Sequence, residues 1–207
     1  MARIILTRHG HVEGIDPPRF RGRMELALTS IGRAQAVLTG AAIAARWKPA
    51  AVWASPMERS RQTAGAIAAA CGGLEVGVLE GLNDLDYGAW QGKTHEAARA
   101  ASPQLFDLWR KAPEQMRFPG GESLQDLAAR TADALRLVIE RQGDASVVLV
   151  GHDSVNRAVL LQCLGLPLSA YWRLSQDPCG ISELEIEDGE VRVRRINETA
   201  HLAAGIE

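Results

Sequence analysis

Apolar residues follow two patterns along the chain, short unbroken runs and longer stretches with a helical period. The short runs are rich in Ile, Val and Leu, which is typical of strands buried on both faces of a sheet. They predict strands at Arg3–Thr7, Ala51–Ala54, Leu74–Leu79 and Val147–Val150. The periodic stretches predict helices over Ser30–Trp47, within 55–70, over 123–141 and after His152 to about Leu164.

Two of the predicted helices have sharply specified starts. Ser55 and Glu58, with a proline between them at the first helical position, match a capping box. This start places Arg59 in the first helical turn or just beyond it. Ser123 and Asp126 cap the second helix, whose apolar residues recur at helical spacing.

The C-terminal part of the chain alternates apolar and polar residues instead. Residues 181–187 and 190–196 flank an Asp-Gly turn, which predicts an antiparallel hairpin at a sheet edge. Residues 83–121 are richer in Gly, Pro and aromatic residues, so short helices and loops are expected there. Alternating strands and helices favour an α/β fold, a three-layer α/β/α sandwich with a mostly parallel central sheet. The 207 residues show no internal repeat and suit one domain spanning 1–207.

Composition and charge narrow the classes of partner. The chain is 46% hydrophobic, carries 23 basic and 25 acidic side chains, and has a net charge of −2. No nucleic-acid partner is expected from this balance, so any anion site must be local. No apolar run is long enough for a membrane span, and the N-terminus does not resemble a signal peptide. The three scattered cysteines support neither a disulfide framework nor a zinc site. We expect a cytoplasmic protein with no membrane partner.

Basic and imidazole side chains follow the predicted strands. Arg8 and His9 come directly after the first strand. Arg59 opens the helix after the second strand, and His152 follows Val147–Val150. Because the carboxyl ends of parallel strands form the ligand crevice of an α/β sheet, we expect these side chains to meet. Two helix N-termini would add N–H donors to the same crevice. The sequence therefore predicts a site for a phosphate-sized anion.

A metal site is an alternative interpretation of the first of these segments. His9 and His11 form an H-x-H pair of the kind that metal-dependent hydrolases place at a barrel strand end. Further ligands could come from His152, Asp153 and His201. An eight-stranded α/β barrel needs about 250 residues, however. The neighbouring arginines would also repel a cation. No Walker-type motif supports a nucleotide P-loop.

Five motifs lie in order along the chain. They are L-T-R-H-G at 6–10, S-P-x-x-R-S-x-Q-T-A at 55–64, L-N-D-x-D-Y-G-x-W-Q-G at 82–92, F-P-G-G-E-S-L at 118–124 and V-G-H-x-x-x-x-R at 150–157. Together they resemble the histidine phosphatase superfamily, in its phosphoglycerate mutase-like branch. The resemblance covers nearly the whole chain and implies a phosphoglycerate mutase-like fold.

The resemblance also implies roles for five residues of these motifs. His9 matches the residue that attacks phosphorus and becomes a phosphohistidine. Arg8, Arg59 and His152 match the groups that bind the phosphoryl oxygens. The acidic residue of the third motif protonates the leaving oxygen, and this chain has Asp84 where the family often has Glu.

The implied chemistry uses no metal and no other cofactor. Phosphoryl transfer passes through a loose transition state that is stabilised by positioning and positive charge, which two arginines and a histidine supply. The nucleophile must be neutral at its attacking nitrogen, and we expect its other nitrogen to donate to a backbone carbonyl. Asp84 is one methylene shorter than Glu, so it must lie closer to the leaving group or act through water. Asp86 competes for the acid role, although its register fits the motif less well.

Several positions depart from the family pattern. Many relatives carry an Asn where this chain has Ile15. Arg21 and Gly22 fall where relatives place a small or amide residue and a Gly near the phosphate. These two residues and Asp153 are candidate substrate or phosphate contacts, and a solvated loop side chain is an equal interpretation of Arg21. A rim or structural role is expected for His11.

The fate of the phosphohistidine separates phosphatases from mutases within this family. Only 25 residues separate Gly92 from Phe118, whereas mutases tend to have a longer segment that closes over the substrate. This favours hydrolysis of a small phosphorylated substrate, with inorganic phosphate as the second ligand. A mutase-type isomerase is the first alternative and a non-catalytic phosphate-binding module the second. A homodimer through the C-terminal hairpin stays open, as does an edge blunted by Arg192, Arg194 and Arg195.

Overall fold

A six-stranded sheet forms the centre of residues 2–203, the part of the chain that the computed structural model describes. The strands are β1 (Ala2–Arg8), β2 (Ala51–Ala54), β3 (Val76–Val78), β4 (Ser146–Gly151), β5 (Ile181–Glu187) and β6 (Glu190–Glu198). The helices are α1 (Ser30–Arg46), α2 (Glu58–Ala70), α3 (His95–Ala101), α4 (Pro103–Lys111), α5 (Leu124–Gln142) and α6 (Asp153–Cys163). Short 3₁₀ helices lie at Glu80–Leu82, Gly88–Trp90, Pro113–Gln115, Leu168–Arg173 and Ala200–Leu202.

The sheet is mostly parallel, as the sequence predicts. Its strand order is β3-β2-β4-β1-β5-β6. The first four strands of this order run parallel, β5 pairs antiparallel with β1, and β6 pairs antiparallel with β5 at the edge. The predicted antiparallel hairpin at a sheet edge is therefore confirmed.

Helices cover both faces of the sheet, because successive side chains of a strand point to opposite sides. Ile4 and Leu6 of β1 pack in one hydrophobic cluster with residues of α4, α5 and α6. Ile5, which lies between them, packs in a second cluster with residues of α1 and α2. The same alternation separates the valines of β4 between the two clusters. This arrangement is the predicted three-layer α/β/α sandwich.

Of the two helix caps predicted from the sequence, the structure contains one. Ser123 caps α5 in a full capping box with Asp126, as predicted. The capping box predicted for α2 is wrong, because the helix begins at Glu58 with Met57 at its N-cap and no side-chain cap. The Ser55 hydroxyl instead accepts from the Met57 N–H at 3.2 Å and lies 2.7 Å from His152 Nε2. The residue that reads as a helix cap is used by the site.

The third strand is shorter than the sequence indicates. Its apolar pattern runs over Leu74–Leu79, but only Val76–Val78 pair with the four-residue strand β2. The region 83–121 holds α3, α4 and two of the 3₁₀ helices, which confirms the expected short helices and loops. No helix within residues 2–203 is long and apolar enough to cross a membrane.

Candidate active site

Parallel pairing brings three strand ends to one edge of the sheet. Arg8, the last residue of β1, lies opposite Gly151 of β4, and Ala54 of β2 lies opposite Val150. The His9 N–H donates to the Gly151 carbonyl at 3.1 Å, which continues the ladder one residue beyond β1. The residues that directly follow these strands are therefore neighbours, as the strand-end argument predicts.

His9 is a buried imidazole with a fixed orientation. Its Nδ1 lies 2.7 Å from the Gly10 carbonyl oxygen, which can only accept, so Nδ1 carries the proton and Nε2 holds a lone pair. Burial lowers the pKa of His9 well below its ordinary value, and electrostatic repulsion from His152, Arg59 and Arg8 lowers it further. The imidazole is thus held in the neutral form that a nucleophile requires.

His152 lies directly opposite His9. The two ring centres are 5.1 Å apart at an angle of 62°. The Ser55 hydroxyl lies 2.7 Å from His152 Nε2 and can donate to it, which puts the imidazole proton on Nδ1. That Nδ1 is buried without a hydrogen-bond partner and lies 3.5 Å from Asp84 Oδ2. Burial, followed by the charges of Arg59 and Arg8, lowers the pKa of His152 well below its ordinary value.

Two buried arginines complete the charged part of the cluster. Arg8 donates from Nη1 to the Gln176 carbonyl at 2.6 Å, and its Nε has no partner. Arg59 is fully buried and donates to the carbonyls of Met24 and Gly22 at 2.7 and 2.6 Å, while its Nε has no partner. Because buried N–H groups are normally hydrogen-bonded, these unpartnered donors mark where an anion would bind.

The two candidate acids occupy different surroundings. The buried Asp84 accepts from Arg59 Nη2 at 3.1 Å, from Ser154 Oγ at 2.5 Å and from the Leu85 N–H at 2.8 Å. Asp86 accepts from the Gly88 N–H at 2.8 Å, outside the histidine pair. The structure therefore brings Asp84 and not Asp86 to His152.

A cavity of about 290 Å³ lies beside this cluster. Arg8 and Asp153, the sequence neighbours of the two histidines, are in its wall. The rest of its lining includes Ile15, Arg19, Phe20, Arg21, Tyr87, His95, Trp109, Arg157, Trp172, Gln176 and Asp177. Because Arg8 and Asp153 lie in its wall, this cavity could receive a leaving group attached to a phosphate at the cluster.

The remaining predicted residues line this cavity or support it. Arg21 donates from Nη1 to the Gly14 carbonyl at 2.5 Å and keeps a buried Nε without a partner. Gly22 has a positive φ of 47°, and an added Cβ would lie 2.9 Å from the Tyr87 ring. Asp153 accepts from Arg157 Nε at 2.9 Å, so its carboxylate orients a cation of the cavity wall.

The two histidines of the H-x-H pair point to different places. His9 faces His152, whereas His11 Nδ1 lies 3.0 Å from Thr29 Oγ1 and its backbone N–H donates to Gln35. His201 lies 3.0 Å from Thr39 Oγ1. Within residues 2–203, no three His, Cys, Asp or Glu side chains are grouped so that they could hold a metal ion.

Sequence reasoning did not find several residues that hold the cluster. Ser55 and Ser154 hydrogen-bond His152 and Asp84, and Arg157 stacks on the rings of Tyr171 and Trp172 at 5.3 Å. The sequence could have indicated both serines, since Ser55 directly follows the predicted strand Ala51–Ala54 and Ser154 lies shortly after the predicted strand Val147–Val150. No local signal existed for the aromatic support of Arg157.

Comparisons with known proteins agree with the fold and with the resemblance of the five motifs. The model of the histidine phosphatase superfamily, branch 1, matches residues 4–199. Phosphoserine phosphatase 1 of Hydrogenobacter thermophilus is 31% identical over 202 residues, which are 98% of this chain and 95% of that protein. Glucosyl-3-phosphoglycerate phosphatase of Mycolicibacterium vanbaalenii is 32% identical, over 80% of this chain and 76% of that protein. The solved structure of Bacillus stearothermophilus YhfR has a TM-score of 0.91 at 26% identity and covers 98% of this chain and 100% of its own.

The family match and the phosphatases among the relatives identify a phosphomonoester hydrolase of small phosphorylated metabolites. The chain belongs to the histidine phosphatase superfamily. The family, fold and enzyme class expected from the five motifs are thereby confirmed.

Proposed function

We propose that the protein hydrolyses a small phosphomonoester without a metal, through a phosphohistidine at His9. The observation that supports this most strongly is the Gly10 carbonyl oxygen 2.7 Å from His9 Nδ1. This oxygen can only accept, so Nδ1 carries the proton and the lone pair is on Nε2. The unpartnered N–H groups of Arg8, Arg59 and His152 then bind the phosphoryl oxygens. Arginine keeps its charge at all working pH values and suits the geometry of phosphate.

Phosphoryl transfer to His9 is the first step. The Nε2 lone pair attacks phosphorus, and the P–O bond to the leaving alcohol breaks with its electrons on oxygen. Asp84 accepts hydrogen bonds as a carboxylate in the free protein, so it must take up a proton when the negatively charged substrate binds beside it. It then gives that proton to the leaving oxygen. His152 donates from Nδ1, and the charge on the equatorial oxygens of the loose transition state is balanced by the two arginines.

Hydrolysis of the phosphohistidine is the second step. A water molecule attacks phosphorus, the P–N bond breaks, and its electron pair returns to Nε2 of His9. The Asp84 carboxylate takes the proton from the attacking water. Inorganic phosphate leaves, and both His9 and the protonated acid are regenerated for another turnover.

The cavity favours a leaving group that itself carries an anionic group. Beyond the phosphate cluster its wall holds Arg19, Arg21 and Arg157 against Asp153 and Asp177. The carboxylate of Asp153 is already engaged by Arg157, and that of Asp177 accepts from an asparagine. Two relatives, phosphoserine phosphatase 1 and glucosyl-3-phosphoglycerate phosphatase, are named for substrates that carry a carboxylate. We therefore propose a phosphorylated hydroxy or amino acid as the substrate class.

A direct assay tests the hydrolysis. With p-nitrophenyl phosphate in the presence of a chelator, we expect turnover by the wild type and a loss of about 10⁴-fold in kcat for His9→Ala. His11→Ala is the matched control and should keep its activity. Acid-labile phosphate should label the wild type but not the His9 variant. Turnover that disappears with the chelator would contradict the proposal, as would a wild type inactive on a panel of monoesters, which a non-catalytic phosphate-binding module would give.

The mutase alternative is separated by the fate of the phosphoryl group. Release of inorganic phosphate from labelled phosphoglycerate supports the phosphatase, whereas transfer between its hydroxyl groups supports the isomerase. A phosphoserine substrate, which offers one hydroxyl only, should be hydrolysed under the same conditions.

The assembly and location of the protein stay predictions, as does the single domain over 1–207. A homodimer would form through β6, the edge strand of the sheet. Arg194 and Arg195 of this strand pair with Glu185 and Glu183 of β5, and such charges discourage the addition of another strand. Light scattering after size-exclusion chromatography distinguishes a monomer from a dimer, and fractionation of cells tests the cytoplasmic location.

A further inference from the structure

The segment that carries Asp84 has no regular secondary structure of its own. Residues 83–87 lie between two 3₁₀ helices, Glu80–Leu82 and Gly88–Trp90, and pair with no strand. The side chain of Asp84 is short, so the position of its carboxylate follows directly from the position of this backbone. An irregular segment keeps one conformation only where its polar backbone groups are satisfied by other parts of the molecule.

Arg130 of α5 satisfies three carbonyls at once, two in this segment and one just before it. Its guanidinium donates from Nη1 to the carbonyls of Gly81 and Asn83 at 2.9 and 2.6 Å, and from Nη2 to the carbonyl of Asp84 itself at 3.0 Å. The side chain of Arg130 is only 19% exposed. A planar group that holds three acceptors in fixed directions defines the path of the chain through Asp84.

Glu122 connects this guanidinium to the other side of Asp84. Its carboxylate accepts from Nε and Nη2 of Arg130, both at 2.9 Å, in a bidentate pair. The same carboxylate accepts from the Asp86 N–H at 3.0 Å, and the Glu122 N–H donates to the Asp86 carbonyl at 3.0 Å. Arg23 adds a further contact to Glu122 at 2.9 Å. Asp84 is thus held from both sides by one ion pair.

We propose that Arg130 and Glu122 are positioning residues for the proton donor Asp84, and so determine how well the enzyme cleaves esters of poor leaving groups. The inference rests on the proposed function, in which Asp84 protonates the leaving oxygen. Among the described residues, neither side chain has a hydrogen bond or ion pair with His9 or His152. The charge of Arg130 helps to lower the pKa of His152, but that effect would act on every ester alike, whereas an effect through the Asp84 segment depends on the leaving group. Asp84 and Glu122 belong to the third and fourth motifs, and Arg130, which joins them, lies outside both.

The dependence of the rate on the leaving group separates positioning from mere stability. A nitrophenolate leaves without much help from an acid, whereas an alkoxide needs its proton during P–O cleavage. The test compares kcat/KM for p-nitrophenyl phosphate with kcat/KM for an alkyl monoester, which is O-phosphoserine or glycerol phosphate. Asp84→Asn is the reference, and we expect it to lose about 1,000-fold on the alkyl ester but only about 10-fold on the nitrophenyl ester.

Arg130→Met should show the same selectivity with a smaller size, about 50-fold on the alkyl ester and about 3-fold on the nitrophenyl ester. Glu122→Gln is nearly isosteric and keeps the fold if Arg130→Met does not, and we expect about 10-fold on the alkyl ester alone. Arg136→Met is the control, since Arg136 lies on the same helix and pairs only with the exposed Asp133 at 2.7 Å. It should change neither rate.

A double variant tests whether Arg130 acts through Asp84. If Arg130 acts through the acid, adding Arg130→Met to Asp84→Asn should cost no more than about 3-fold on the alkyl ester, because the two changes remove the same step. Equal losses on both esters for Arg130→Met and Glu122→Gln, or full additivity with Asp84→Asn, would overturn the proposal while the acid stands. Absence of any leaving-group effect in Asp84→Asn would refute the acid itself, and with it the proposed function of Asp84.

Discussion

The candidate site has two parts that are held in place by different means. The histidine part follows the strand ends of the parallel sheet, where the His9 N–H donates to the Gly151 carbonyl and the Ser55 N–H to the Val150 carbonyl, both at 3.1 Å. The acid part lies on residues 83–87, which belong to no strand or helix. Backbone ladders fix the first part, and the side chains of Arg130, Glu122 and Ser154 fix the second.

This difference predicts which changes affect every substrate and which affect only some. In the proposed mechanism, the nucleophile and the phosphate-binding groups act on phosphorus, which is common to all phosphomonoesters. The acid acts on the leaving oxygen, which differs from one ester to the next. Damage to the histidine part should therefore lower all rates together, and damage to the acid part should lower them selectively.

Arg59→Lys should have the largest effect, because Arg59 holds the Asp84 carboxylate and is also a proposed phosphate contact. Its guanidinium donates to two backbone carbonyls and to Asp84 Oδ2, and a lysine ammonium cannot reach these acceptors and a phosphate together. We expect kcat/KM to fall about 300-fold on alkyl and nitrophenyl esters alike. Arg61→Lys is the matched control, since Arg61 is exposed on the same helix. A loss limited to alkyl esters would assign Arg59 to the acid part alone.

Ser154→Ala affects the acid part and leaves the ladders intact. The Ser154 hydroxyl donates to Asp84 Oδ1 at 2.5 Å from the first turn of α6. Without this contact the carboxylate keeps only Arg59 and the Leu85 N–H. We expect about 30-fold lower kcat/KM on O-phosphoserine and about 3-fold on p-nitrophenyl phosphate. If both rates fell by the same factor, Ser154 would belong to the phosphate-binding part.

Ser55→Ala is the counterpart of this variant in the histidine part. Loss of the hydroxyl at 2.7 Å from His152 Nε2 leaves only the more distant Ser60 hydroxyl at 3.4 Å, so the proton is held on Nδ1 less strictly and Nδ1 donates to phosphate less often. We expect about 10-fold lower kcat/KM, equal on both esters. Ser123→Ala, which removes the cap of α5, is the control for stability: thermal melting should register its loss while the ester ratio stays unchanged.

The sequence predicts the histidine part far better than the acid part, for a physical reason. Arg8, His9 and His152 follow strands whose apolar runs are visible locally, and parallel pairing brings such ends together in any α/β sheet. The contacts of Arg130 with Gly81, Asn83 and Asp84 span 46 to 49 residues and depend on how α5 packs against the irregular segment. No local period encodes such contacts. The same limit explains Ser55, whose sequence neighbours suggest a helix cap until the position of His152 is known.

The smallest expected effect is on the pH dependence of folding stability, which probes the histidine part without substrate. Burial lowers the pKa of His9 and of His152 well below the value of an unfolded histidine. As the pH falls below the unfolded value, the unfolded chain takes up protons that the folded chain refuses, so stability falls with falling pH. Between pH 7 and pH 5.5 each buried histidine should contribute a loss of about 1 kcal/mol in the free energy of unfolding.

His9→Gln removes one of these two contributions. Its thermal midpoint should therefore fall less than that of the wild type between pH 7 and pH 5.5, by about 2–4 °C for a chain of this size. His11→Gln, beside Thr29 and partly exposed, should keep the wild-type slope. A wild-type slope in the His9 variant would mean that the imidazole takes up its proton in the folded protein. In that case the lone pair of Nε2 would not be available at acidic pH, and the phosphatase rate should fall over the same range.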